Sequence, residues 1–213
     1  MIHVQSFTFN AFQENTYILF DQTKECIIVD PGCYEQSEQL QLKMFIDSND
    51  LNPVRLINTH CHIDHVLGNA FVSKNWELNL EIHSLDLPTL HSVKEYCQLY
   101  GFQNYEESPE PTVFLNEGDA IAFGNNTLDV LFTPGHAPGH IVLHSNEHHF
   151  IIGGDVLFQN SIGRTDLPGG DYDTLIDSIK TKLLTLDNKT VVYCGHGPST
   201  TIGIENNTNP FLK

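Results

Sequence analysis

Four side chains of the kinds that ligate metals fall within six residues in His60-Cys61-His62-Ile63-Asp64-His65, directly after the short apolar run 54–58. Histidine offers a neutral nitrogen and aspartate a hard anionic oxygen, and zinc accepts both. One short loop cannot easily wrap all four around a single ion. It can divide them, with His60 and His62 facing one metal and Asp64 and His65 a second. Two such metals about 3.5–4 Å apart hold a bridging hydroxide. Each half then needs ligands from elsewhere, so the fold must converge several loops on one place.

Three later segments can supply them. His136 lies in Thr133-Pro134-Gly135-His136-Ala137-Pro138-Gly139-His140, Asp155 follows Gly153-Gly154, and His196 lies in Gly195-His196-Gly197-Pro198. Each follows an apolar run that reads as a strand. Loops leaving one edge of a sheet are where sites are usually assembled.

Short apolar or alternating runs predict strands at 4–9, 16–20, 26–29, 54–58, 120–123, 127–132, 141–144, 150–152 and 190–193. Helices are predicted over 35–47, 68–76, 86–100 and 173–186. In the third, Asp86 is placed to cap, Pro88 sits in the first turn, and Leu90, Val93, Cys97 and Tyr100 share a face. In the fourth, Leu175, Ile176, Ile179, Leu183 and Leu186 follow the 3.6-residue period. This order of elements predicts an α/β sandwich with helices outside two central sheets.

Composition narrows the partners. The chain of 213 residues carries 27 acidic and ten basic side chains, a net charge of −17. That excludes ordinary phosphate-backbone binding and disfavours anionic membranes. No apolar stretch approaches the roughly 20 residues of a membrane span, and Met1-Ile2-His3-Val4 opens no secretory signal. Five scattered cysteines, an odd number without a C-x-x-C pair, predict reduced thiols in a cytoplasmic protein.

Five segments together resemble the metallo-β-lactamase superfamily, in its short glyoxalase II-like (hydroxyacylglutathione hydrolase-like) branch: 59–65, 133–140, 153–158, 161–170 and 195–198. The fourth, Ser161-Ile162-Gly163-Arg164-Thr165-Asp166-Leu167-Pro168-Gly169-Gly170, is similar to that branch, as is the ending from Thr200-Thr201-Ile202-Gly203 to Asn209-Pro210-Phe211-Leu212. The resemblance implies a four-layer αββα sandwich. It implies that His60, His62 and His136 ligate one metal, that Asp64, His65 and His196 ligate the second, and that Asp155 bridges both. Zinc is the implied metal; iron and manganese suit the same ligands. Filled at all seven positions, the pattern favours a binuclear hydrolase over the mononuclear iron site of the related persulfide dioxygenases.

The expected activity is hydrolysis of a thioester, S-lactoylglutathione or a related acyl thiol, by a metal-bridged hydroxide that Asp64 orients. The alternatives are an iron-dependent persulfide dioxygenase, or a lactonase or phosphoester hydrolase of the same superfamily. The chain is expected to be a single domain, 1–213, without the C-terminal helical domain of full-length glyoxalase II, because 17 residues follow His196. The expected partner is the small acyl-thiol substrate, with no nucleic acid and no membrane, on a monomer or homodimer. His140 reads as a support for the site, and the His144, His148 and His149 group as solvated. Cys61 reads as a packing thiol, and Asp30 as a turn cap or a hydrogen-bond partner of a ligand histidine. Arg164 and Asp166 either face the substrate or a partner subunit, or pair to stiffen their own loop.

Overall fold

The apolar runs become the strands of two six-stranded sheets. The structure, a computed structural model, describes residues 1–213. They divide into two compact units, Met1–Phe114 with Ala122–Asn126, and Leu115–Ile121 with Thr127–Lys213.

The first unit carries the sheet β1-β2-β3-β4-β5-β6, built from β1 (His3–Phe9), β2 (Glu14–Phe20), β3 (Glu25–Val29), β4 (Asn52–Ile57), β5 (Leu80–Ile82) and β6 (Val113–Phe114). The first three strands pair antiparallel; β3 to β6 run parallel. Helices α1 (Gln36–Ser48), α2 (Ile63–Val66), α3 (Asn69–Trp76) and α4 (Leu87–Tyr96) make the crossovers. Parallel strands are covered on both faces, which is why β3 reads as an uninterrupted apolar run with Cys26 to Val29 fully buried. Ile18, Ile28, Leu56, Leu80 and Ile82 of the sheet join Leu42 and Ile46 of α1 and Val93 of α4 in one core.

The second sheet, β14-β13-β10-β9-β8-β7, is built from β7 (Ala120–Phe123), β8 (Asn126–Phe132), β9 (Ile141–Ser145), β10 (Phe150–Gly154), β13 (Val191–Cys194) and β14 (Thr200–Thr201), and all of it but 122–123 of β7 and Asn126 of β8 belongs to the second unit. A separate hairpin joins β11 (Leu157–Phe158) to β12 (Ser161–Ile162). Leu175 of α5 (Tyr172–Ser178), with Ile179 and Leu183 beyond it, packs on Ile151 and Val192, and Ile202 of α6 (Ile202–Thr208) joins them. No helix is long and apolar enough to cross a membrane.

Two helices differ from the sequence expectation. The 86–100 helix is regular only to Tyr96; Cys97–Tyr100 tightens to a 3-10 turn ending at Gly101, φ 91°. Three residues per turn rotate Tyr100 off the face that Leu90, Val93 and Cys97 bury, and its ring meets Phe12 and Tyr96 instead. Asp86 does not cap this helix, because its side chain is engaged elsewhere. The 173–186 helix is α-helical over Tyr172–Ser178 and continues as a π turn over Ile179–Leu183. The period still holds at Leu175, Ile179 and Leu183, all fully buried.

The core assignment is tested at Leu56. Leu56→Ala should lower unfolding stability by about 2–5 kcal/mol, whereas Leu99→Ala, at a side chain 87% exposed, should stay within about 0.5 kcal/mol. Urea denaturation followed by circular dichroism measures both.

Candidate metal centre

In the first unit three parallel strands end side by side, and each delivers part of the site. Asp30 follows β3, the His60 run follows β4 through Asn58 and Thr59, and Asp86 follows β5. The ladder continues past the strand ends, with Asp30 N donating to Ile57 O (2.9 Å) and Asn58 N to Glu81 O (3.1 Å). Asp30 sits at φ 49°, a left-handed conformation that few non-glycine residues adopt. That turn aims its carboxylate at the His60 run.

The run is held from behind by buried acids and amides. One oxygen of Asp30 accepts Thr59 N (2.7 Å); the other accepts Thr59 Oγ1 (2.6 Å) and lies 3.2 Å from His65 Nδ1. Asp86, fully buried, accepts Cys61 N at 2.6 Å. Asn58 Nδ2 donates to His65 O (2.9 Å), and Asn10 Nδ2 to Asp64 O (3.0 Å). The short helix α2 makes Asp64 and His65 neighbours on one turn, with His65 Nε2 3.6 Å from Asp64 Oδ2. The His60 ring lies 4.8 Å from that of His62 and 4.1 Å from that of His65. Glu14, fully buried, has an oxygen 4.0 Å from His65 Nδ1. Burial pushes its carboxyl pKa well up, and the neighbouring His65 works against that.

In the second unit Asp155 leaves β10 after a register shift between Ile152 and Gly154. Such a bulge re-aims the chain. Its backbone N donates to His140 Nε2 (3.0 Å), and His140 Nδ1 lies 3.1 Å from Thr133 Oγ1. His140 therefore carries its proton on Nδ1 and supports Asp155. His136 is placed by Gly135, at φ 128°, where a Cβ would overlap the Leu175 backbone. The His136 Nδ1 donates to Arg164 O at 2.7 Å, which fixes the ring with Nε2 on its opposite side. That Nε2 lies 3.6 Å from Asp155 Oδ2, and His196 Nε2 lies 3.4 Å from the same oxygen.

These spacings fit a cation. Nitrogen and oxygen ligands at roughly 2.0–2.2 Å from a tetrahedral ion lie about 3.3–3.6 Å apart. Direct hydrogen bonds would bring them to about 2.7–3.2 Å. An imidazole nitrogen and a carboxylate oxygen 3.6 Å apart are too far for a direct hydrogen bond and are spaced as two ligands of one ion would be. His65 and Asp64 repeat the same distance.

The other candidates have their own places. Cys61 is buried, and burial beside Asp86 and Asp30 pushes its thiol well up. Arg164 pairs with Asp166 through two bonds of 2.7 and 2.8 Å on the surface, which holds the Asp166 carboxyl at about 2. The part of Arg164 that meets a site histidine is its carbonyl. His148 Nδ1 lies 3.2 Å from Ser145 Oγ, and burial lowers the pKa of His144. Sequence reasoning missed Glu14, Asn10 and the loop-holding role of Asp86. Glu14 opens β2 ahead of Asn15 and Thr16, a polar start that reads in the sequence as a turn.

Residues 9–196 match the family model described as the metallo-beta-lactamase superfamily. The chain is 39% identical to a hydroxyacylglutathione hydrolase, GloC, of Haemophilus influenzae, over 100% of this chain and 99% of that one. Among solved structures it is similar to the BLEG-1 B3 metallo-beta-lactamase, with a TM-score of 0.89, 33% identity, and coverage of 99% of this chain and 100% of that one. It is also similar to TTHA1623, solved in a di-iron-bound form, with a TM-score of 0.87, 36% identity, and coverage of 98% and 100%.

Asp30 offers a direct test of the support behind the ligands. Asp30→Asn puts a donor where Thr59 already donates and where the His65 ring lies 3.2 Å away. Zinc affinity should fall about 10- to 100-fold, read by competition with a chromophoric chelator. Unchanged affinity in folded protein would remove Asp30 from the site.

Proposed function

The chain belongs to the metallo-β-lactamase superfamily, a metallo-hydrolase with the αββα fold of that family, and from that premise we propose that it hydrolyses thioesters at a two-metal centre. One ion is held by His60, His62 and His136, the second by Asp64, His65 and His196, with Asp155 shared. The observation that carries this reading is Asp155, one of whose oxygens faces two imidazole nitrogens at ligand spacing.

Bound there, divalent ions supply a water acidified to a pKa of about 7 and a Lewis acid for the scissile carbonyl. The protein's own groups do the rest. Arg164 O accepts from His136 Nδ1, and Asp30 lies 3.2 Å from His65 Nδ1, so each ring would offer its Nε2 to an ion. Asp64, at the start of α2 beside His65, would orient the attacking water.

No cysteine competes as nucleophile. All five are buried, and burial pushes the thiols of Cys26 and Cys194 to about 12 and those of Cys33 and Cys61 up as well. A thioester suits such a site, since a thiol of pKa about 8.5 departs as thiolate without a strong acid to protonate it. The identity to a hydroxyacylglutathione hydrolase supports S-lactoylglutathione or a related acyl thiol as substrate. Zinc suits the nitrogen and oxygen ligands, and the di-iron form of a relative makes iron the metal to test beside it. A reducing, cytoplasmic setting suits five buried cysteines of which no two form a disulfide. The strong negative charge suits a small-molecule substrate better than a nucleic acid or membrane, on a monomer or homodimer.

Release of thiol from S-lactoylglutathione and a panel of acyl thiols is the assay. Activity should vanish after chelation and return with zinc or iron, and Asp64→Asn should lower kcat at least about 100-fold. Full activity in chelated protein would overturn the proposal.

A further inference from the structure

The chain ends in Thr200-Thr201-Ile202-Gly203-Ile204-Glu205, continuing to Asn209-Pro210-Phe211-Leu212, a segment that supplies no ligand. Within it Glu205 is fully buried, and its carboxylate makes three hydrogen bonds. One oxygen accepts Thr200 Oγ1 at 2.5 Å. The other accepts Asn209 Nδ2 at 2.8 Å and the backbone N of Asn160 at 2.9 Å. Asn160 is at the tip of the β11–β12 hairpin, in the left-handed region at φ 56°. Asn209 Nδ2 also donates to Ser161 O (2.9 Å), and Thr208 Oγ1 to Asn160 Oδ1 (3.4 Å).

That hairpin joins the two ends of the Asp155 half-site. It begins two residues after Asp155, places the Phe158 ring 6.3 Å from the His196 ring, and runs into Gly163 and Arg164. Gly163 N donates to Val156 O (3.1 Å), and a Cβ on Gly163 would overlap the Asp155 carbonyl. The next carbonyl, that of Arg164, orients His136. A two-stranded hairpin with two residues per strand has little stability of its own. A buried carboxylate binding its tip amide is a strong, directional anchor.

We propose that Glu205 is a positioning residue for His136 and His196, acting through this hairpin. The inference rests on the metal reading above, since it assigns Glu205 a role in presenting those ligands. The last helix is then a buttress of the site.

Three substitutions in the full-length chain separate positioning from general stability. Glu205→Ala should weaken zinc binding about tenfold in competition titration, and should speed amide exchange at residues 157–164 in metal-free protein. Glu205→Gln keeps an acceptor for Asn160 N and should recover most of the affinity. Thr200→Val removes only the bond on the far oxygen; it should lower the Tm yet leave the zinc titration unchanged. If Glu205→Ala does not fold, Asn209→Ala replaces it, because it removes the Ser161 contact and should weaken zinc binding in the same direction. Wild-type zinc affinity in a folded Glu205→Ala or Asn209→Ala protein would overturn the inference, as would an equal loss in Thr200→Val. A wild-type chain that takes up no zinc or iron would overturn the metal reading and this inference with it.

Discussion

A carboxylate removed from water is tolerable only where donors surround it, and Asp30 is such a group. An isolated buried charge loses several kcal/mol of solvation, and Thr59 N and Thr59 Oγ1 offset that loss. Because those donors belong to the His60 run, the requirement that Asp30 be satisfied is also the requirement that the run take one conformation. Asp86 adds a second grip through Cys61 N. Burial at the ends of three parallel strands thus determines where the imidazoles point.

The second unit solves the same problem with backbone in place of acids. His140 holds the Asp155 amide, the bulge in β10 sets its direction, and the Arg164 carbonyl fixes the His136 tautomer. Gly135 and Gly163 lie where any side chain would overlap neighbouring backbone. Stability and function are coupled here: the residues that order the loops also decide which ring nitrogens face Asp155.

Much of this was legible in the sequence for physical reasons. Long apolar strands such as β2, β3 and β8 announce themselves because burial on one or both faces demands it. Seven candidate ligands stood out because their residue types are rare in such density. Strands β5, β6, β11, β12 and β14, of two or three residues each, carry too few positions for a period to register. Asp86 misled because a carboxylate before Pro88 fits a helix cap as well as a tertiary contact, and only the fold brings Cys61 N to it. Tyr100 misled because a 3-10 turn and an α-helix share a sequence pattern until the last turn. Glu205 was unreadable, since a lone acid in a C-terminal helix says nothing about a hairpin 45 residues earlier.

The central claim is that one oxygen-bearing residue, Asp155, joins two metal ions held by six other side chains. Anomalous diffraction from crystals of the metal-loaded protein tests it most directly. The account predicts two peaks, one bonded to His60, His62 and His136, the other to Asp64, His65 and His196, with Asp155 touching both. A single peak, or two peaks of which only one contacts Asp155, would contradict it.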